Sequence, residues 1–179
     1  MAQKYSFLEY VKTSMTQNLT NRRWVLVDYP DSMPSKDNFD LQVGLDIPPL
    51  KEGQVLISAD YLSVDPYVRG RISPTVGYTA GVLPGDLLPA GGVGEVIQSQ
   101  SNMFKVGDIV LSSSFGWQEY AVLNEIDVRK IDDDKIPRQA YLSYLGMPGL
   151  TAYFGLVKVG GAKKGETVII SAASGAVGQ

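Results

Sequence analysis

From Arg22 onward the chain is a succession of short strand-like runs: "RRWVLVDY", "FDLQVGLD", "GQVLISADYLSV", "GGVGEVIQSQ", "GDIVLSSSFGWQEYAVL" and "IDVRKI". They are separated by Pro-, Asp- and Gly-rich turns. Strands this short, with turn signals between them, point to a compact barrel rather than to alternating βαβ units. Near residue 137 the pattern changes. "PRQAYLSYLG" and "PGLTAYFGLVKVG" each carry Pro at or near a first turn and predict two short helices. "KKGETVIISAA" then reads as a turn and a buried strand, and "SGAVGQ" as the opening of a helix. The expected fold class is mainly β with some α, a barrel first and then the beginning of an α/β unit. The stretch 71–90 is rich in Gly and Pro without a clear period, and predicts a long loop of the kind that often carries function.

The residue counts remove whole classes of chemistry. The 179 residues contain no Cys and no His. Disulfides, thiol nucleophiles, Cys/His zinc sites and His-based acid–base catalysis are therefore excluded. Chemistry here must use Tyr, carboxylates, Lys, hydroxyls, backbone groups or a bound cofactor, and no metal site is expected. A net charge of −3 argues against a nucleic-acid partner. No apolar run approaches the roughly 18–20 residues that span a bilayer, so no membrane association is expected. The N-terminus lacks a basic stretch followed by an apolar core, so no secretory signal is read and a cytoplasmic location is expected. Residues 1–20 do not resemble the rest of the chain and are expected to form a mobile N-terminal extension.

A few short stretches can carry chemistry. Ala172, Gly175 and Gly178 are spaced three apart after a predicted strand, the context of a dinucleotide-binding turn. A small first residue allows a tight turn, Gly175 allows close approach to a pyrophosphate, and Gly178 allows a helix to pack on its strand. Read alone, the same spacing fits plain packing of a strand-to-helix turn. "SVDPYVRGR" sets Asp65, Tyr67, Arg69 and Arg71 around one turn. The Tyr67 phenol is a donor and a weak acid, suited to holding a carbonyl oxygen. An Asp-Pro turn with a Tyr covering the core explains the same residues. Met147, Leu150 and Tyr153 at helical spacing read first as core, although Met147-Pro148-Gly149 can present backbone amides and a soft apolar wall to a flat ring. Lys163 and Lys164 beside "GE" read as a solvated turn.

Taken in order, "RRWVL", "YLSVDPYVRGR", "GGVGEVI", "KVGDIV", "GWQEY", "LGMPGLTAYFGL" and "KKGETVIISAASGAVG" resemble the medium-chain dehydrogenase/reductase superfamily. Within it they are similar to the zinc-independent branch of prostaglandin reductases, plant double-bond reductases and NADPH-dependent curcumin reductase-like enzymes. The resemblance runs from about Asn21 to Gln179. It implies a GroES-like catalytic domain over 21–136, then linking helices and the first strand and glycine turn of a Rossmann domain over 137–179. It implies NADPH as cofactor and reduction of the C=C bond of an α,β-unsaturated aldehyde or ketone. Tyr67 falls on the substrate side of the implied cleft, Met147 and Thr151 on the nicotinamide side, and Gly175, Ala176, Val177 and Gly178 at the pyrophosphate turn. Plant members carry a Tyr where this chain has Ala90-Gly91-Gly92, which implies a wider pocket here. On the family plan the Rossmann domain would continue past Gln179. The 179 residues are therefore expected to be a portion of an enzyme, inactive alone, with weak or absent NADPH binding. The exposed 140–179 segment is expected to favour self-association or a homodimer. A non-catalytic GroES-like binding module and a quinone reductase of the same superfamily are the alternatives.

Overall fold

The computed structural model describes residues 19–75, 80–133 and 135–179. The expected N-terminal extension lies outside the described residues up to position 18, and the first strand starts at Thr20.

Strands β1 (Thr20–Leu26) and β2 (Phe39–Asp46) form an antiparallel pair. The larger sheet contains β3 (Gln54–Leu62), β4 (Gly92–Ser99), β5 (Ile109–Ser112), β6 (Tyr120–Asn124) and β7 (Arg129–Lys130), in the spatial order β6-β3-β4-β5-β7. Every pairing in it is antiparallel. β3 is flanked by β4 and β6, and its successive residues Val55, Leu56 and Ile57 are all buried. Such a run is what a strand covered on both faces requires.

The two sheets are stitched by β1. Its Asn21 side chain donates to the Tyr120 carbonyl of β6 at 2.8 Å and accepts from the Tyr120 amide at 3.0 Å. Val55, Ile57, Val96, Phe104, Val110, Phe115, Ala121 and Val128 form the main core. A second cluster, Leu26, Ile72, Val82 and Leu88, draws three of its four members from 71–90. The expected long loop therefore also supplies core, which explains how so Gly- and Pro-rich a segment is held. Gly92, at the start of β4, is fixed by packing: a Cβ there would lie 2.4 Å from the Phe115 ring.

The helical elements and the last residues depart in part from expectation. Helix α1 (Tyr67–Arg71) is short. The first expected helix after residue 137 is a 3-10 turn, Arg138–Leu142. The second is helix α2 (Met147–Ala152), which continues as a π-helix over Tyr153–Val159. At the end of α2 the Thr151 hydroxyl donates back to the Met147 carbonyl at 2.8 Å, a competition that loosens helical register.

The buried strand expected in "KKGETVIISAA" is not formed. Residues 166–170 make no ladder, and Val168, Ile169 and Ile170 are exposed. A strand is held by its neighbours, and no described residue pairs with this one. The helix expected at "SGAVGQ" is likewise replaced by consecutive turns. The turn at Lys163–Glu166 is present, closed by the Glu166 amide on the Lys163 carbonyl at 3.2 Å.

Candidate active site

Three strand or loop ends converge on one cleft. β3 ends at Leu62 and leads through Ser63 and Asp65 into α1; β4 begins beside Gly91; β5 ends at Ser112. The 3-10 turn and α2 lie over them and enclose a cavity of about 400 Å³. Tyr67 lines it from α1, and Met147 and Thr151 line it from α2. Leu111, Leu142, Leu145, Pro148 and Leu150 supply an apolar wall, with Tyr141, Ser112, Ser113 and Arg129 as the further polar groups. An apolar pocket with a few convergent polar groups is the usual form of a small-molecule site.

Ser63 holds this corner together. Its hydroxyl donates to the Asp65 carboxylate at 2.7 Å and accepts from the Gly91 amide at 3.1 Å. Its own amide donates to the Gly91 carbonyl at 2.8 Å. The turn that delivers Tyr67 is thereby tied to β4. The Asp65 carbonyl also accepts from the Val68 amide at 3.1 Å, which closes the first turn of α1. Gly91 faces the cavity: a Cβ there would sit 3.1 Å from the Ser63 hydroxyl and 3.6 Å from Leu142. A larger side chain at this position would narrow the cleft.

On α2, Gly149 permits a contact no other residue could make, since a Cβ would fall 1.8 Å from the Tyr144 carbonyl oxygen. Met147 is about half exposed at 53%. At the other end of β5 from the cavity, buried Asp108 anchors β7. The Lys105 amide donates to its carboxylate at 3.0 Å, and the Lys130 ammonium lies 2.9 Å from it. Burial pushes the Asp108 carboxyl up, but the Lys105 amide and Lys130 together outweigh burial and hold it below its ordinary value. Hydrogen bonding to Asp108 raises Lys130 in turn.

Among the candidates, the structure brings Tyr67, Met147 and Thr151 to one cavity. Gly175, Ala176, Val177 and Gly178 do not line it. They lie in turns closed by the Gly175 amide on the Ala172 carbonyl at 2.8 Å and the Gly178 amide on the Gly175 carbonyl at 3.1 Å. Ala172 turns the chain with φ +49. Residues 171–178 form turns rather than the first turn of a helix, so the N–H groups a pyrophosphate needs are not gathered there. The nicotinamide end fits better, because the apolar wall and the Thr151 hydroxyl suit a flat carboxamide-bearing ring. Ser63, Ser113, Tyr141 and Arg129 also line the cavity and were not expected from the sequence. Ser63-x-Asp65 before Pro66 was an available signal for a side-chain-capped turn; an Arg in a short strand gave none.

Residues 22–131 match the family described as the N-terminal domain of oxidoreductase. The chain is 42% identical over 162 residues to the NADPH-dependent curcumin reductase of Escherichia coli, covering 90% of this chain and 46% of that protein. It is 39% identical over 160 residues to prostaglandin reductase 1 of Bos taurus, covering 88% and 46%. Among solved structures, CurA of Vibrio vulnificus in complex with NADPH superimposes with a TM-score of 0.79 at 37% identity, over 88% of this chain and 46% of that one. The chain thus spans about half the length of the relatives it matches. The expected fold class stands: mainly β with some α, an N-terminal domain consistent with the GroES-like fold and a partial Rossmann portion.

Proposed function

We propose, since the chain belongs to the oxidoreductase N-terminal domain family on the zinc-independent branch of the medium-chain dehydrogenase/reductases, that the whole protein is an NADPH-dependent enone and enal reductase. The observation that carries this reading is the convergence of Tyr67, Met147 and Thr151 on one largely apolar cavity of about 400 Å³.

NADPH, when bound, supplies a hydride for the β-carbon of the substrate. The chain's residues do the rest. Met147, Pro148 and Thr151 form a wall that would hold the nicotinamide. Tyr67 donates a hydrogen bond to the substrate carbonyl oxygen, where negative charge develops as hydride reaches the β-carbon, and the resulting enolate takes a solvent-derived proton at its α-carbon. Leu111, Leu142 and Leu145 keep water from the reacting carbons and strengthen that hydrogen bond. Ser63 and Asp65 hold the Tyr67 turn. Gly91 leaves room beside them.

The same reading assigns Gly175 to Gly178 to the pyrophosphate, in a helix-capped geometry that these turns have not adopted. For that reason the 179-residue chain alone is proposed to be inactive and to bind NADPH weakly. The apolar face of its 140–179 segment, with Tyr144, Phe154, Val159 and Ile169 exposed, is proposed to drive self-association. A cytoplasmic location belongs to the same proposal; among the described residues no helix is long and apolar enough to cross a membrane.

The test is NADPH oxidation by the whole protein with matched pairs of an enone and its saturated ketone. Consumption with the enone alone is expected. Equal consumption with both, or with neither, would overturn the reading.

A further inference from the structure

Both tryptophans of the chain stand on a groove that the candidate active site does not use. The groove, of about 310 Å³, draws its apolar lining from Trp24, Leu41, Tyr61, Leu62 and Trp117. Three adjacent segments build it. The Glu119 amide donates to the Arg22 carbonyl at 3.0 Å and the Ala59 amide to the Glu119 carbonyl at 2.8 Å, which sets β1, residues 117–119 and β3 side by side. Trp24 and Leu41 are register partners on β1 and β2. Trp24, Leu41 and Tyr61 are exposed, and aromatic and aliphatic surface gathered in this way marks an interaction site. The charged groups that line the groove are already paired, Arg22 with Glu119 and Asp60 with Arg138. An apolar occupant therefore leaves none of them stranded, whereas a charge carried in would find no free partner.

The chain itself carries a segment of that chemistry. Residues 5–11, "YSFLEYV", hold Tyr5, Phe7, Leu8, Tyr10 and Val11 with Glu9 as their one charge. Lys4 and Lys12 flank them. On β2, Asp40 and Asp46 lie on either side of Leu41 in sequence, exposed and without an ion pair among the described residues, so the charges beside the groove are of the opposite sign. The segment enters the fold at the groove: it joins β1 at Thr20, and Thr20, Arg22 and Trp24 alternate on the exposed face of that strand. From Thr20 to Trp24 is about 13 Å at roughly 3.3 Å per residue. Residues 12–19 span up to about 26 Å when extended. Val11 can thus return over Trp24 with length left for a turn. The match to the oxidoreductase N-terminal domain begins at residue 22, so residues 1–18 lie outside the matched domain.

We propose that the groove at Trp24, Leu41, Tyr61 and Trp117 is the docking site of the chain's own residues 5–11, held through their aromatic and aliphatic side chains. Docking covers the exposed face of β1 and β2 and braces that pair against β3. It is independent of the reductase reading.

Because Trp24 and Trp117 are the two tryptophans of the 179 residues, tryptophan emission of this chain reports on the groove. The double change Phe7→Glu and Leu8→Glu should shift that emission to the red and increase its quenching by acrylamide, with circular dichroism unchanged. Added to Leu41→Glu, which blocks the groove at an exposed position, the same double change should have no further effect. The chain has no Cys, so Ser6→Cys takes a single nitroxide label, which should broaden the indole signals of Trp24 and Trp117 in nitrogen-15 NMR. Emission and quenching unaltered by the double change, an equal effect with and without Leu41→Glu, or indole signals untouched by the label each overturn the proposal. Broadening that disappears when the doubly labelled chain is diluted into unlabelled chain assigns the groove to a second copy and overturns it as well.

Discussion

Replacing Ser63 with Ala removes two hydrogen bonds at once. The hydroxyl donates to the Asp65 carboxylate at 2.7 Å and accepts from the Gly91 amide at 3.1 Å. A hydrogen bond to a charged group contributes about 1.5–3 kcal/mol and a neutral one about 0.5–1.5 kcal/mol. Both here are partly buried, so the low end of each range applies and the loss is about 2 kcal/mol. At ~1.36 kcal/mol per tenfold, that is roughly a 30-fold shift of the folding equilibrium. Urea unfolding should show a lower midpoint for Ser63→Ala with an unchanged slope. Ser63→Thr retains the hydroxyl and should recover most of the loss. A Ser63→Ala protein within about 0.5 kcal/mol of the parent, the scatter of an inert surface change, would refute the claim that this hydroxyl ties the Tyr67 turn to β4. A Thr variant as weak as the Ala variant would refute it equally.

Tyr67→Phe should lower kcat of the whole protein with an enone by roughly 10²–10³, the cost of one donor to a developing oxyanion, while circular dichroism stays unchanged. Asp108→Asn should destabilise the fold by about 1–3 kcal/mol at neutral pH. Because the folded Asp108 value is depressed, its contribution is fully present above the unfolded value of about 3.9 and fades as pH falls through the folded value. Lys130 is raised, so its contribution holds below about 10.4 and is lost as pH rises through its folded value. Unfolding across pH should show parent and variant converging in acid. Gly149→Ala should cost about 1–3 kcal/mol through overlap with the Tyr144 carbonyl. Gly155→Ala meets nothing within 4 Å and should be neutral or stabilising by up to about 1 kcal/mol in the same melt.

The short strands were legible because their information is local. The run "FDLQVGLD" is β2 from Phe39 to Asp46, bounded by turn residues on both sides. "GETVIIS" has the same apolar look, yet residues 166–170 make no strand. A strand's identity there depends on neighbours that its own residues do not specify. The cavity shows a similar divide. Tyr67, Met147 and Thr151 stand out by motif order, since Tyr67 and Met147 each also have a plain packing explanation and Thr151 carries no signal of its own. Ser63 lay in view next to Asp65, but the Gly91 amide that completes its role is 28 positions away.

The central claim is hydride delivery to the β-carbon of an enone held by Tyr67. It is tested most directly by giving the whole protein NADPH deuterated at the transferring position, with an enone, and examining the product by mass spectrometry and NMR. The expected product is a saturated ketone carrying deuterium at the β-carbon, formed far more slowly by Tyr67→Phe. Deuterium at the carbonyl carbon, in an allylic alcohol with its double bond intact, would contradict it.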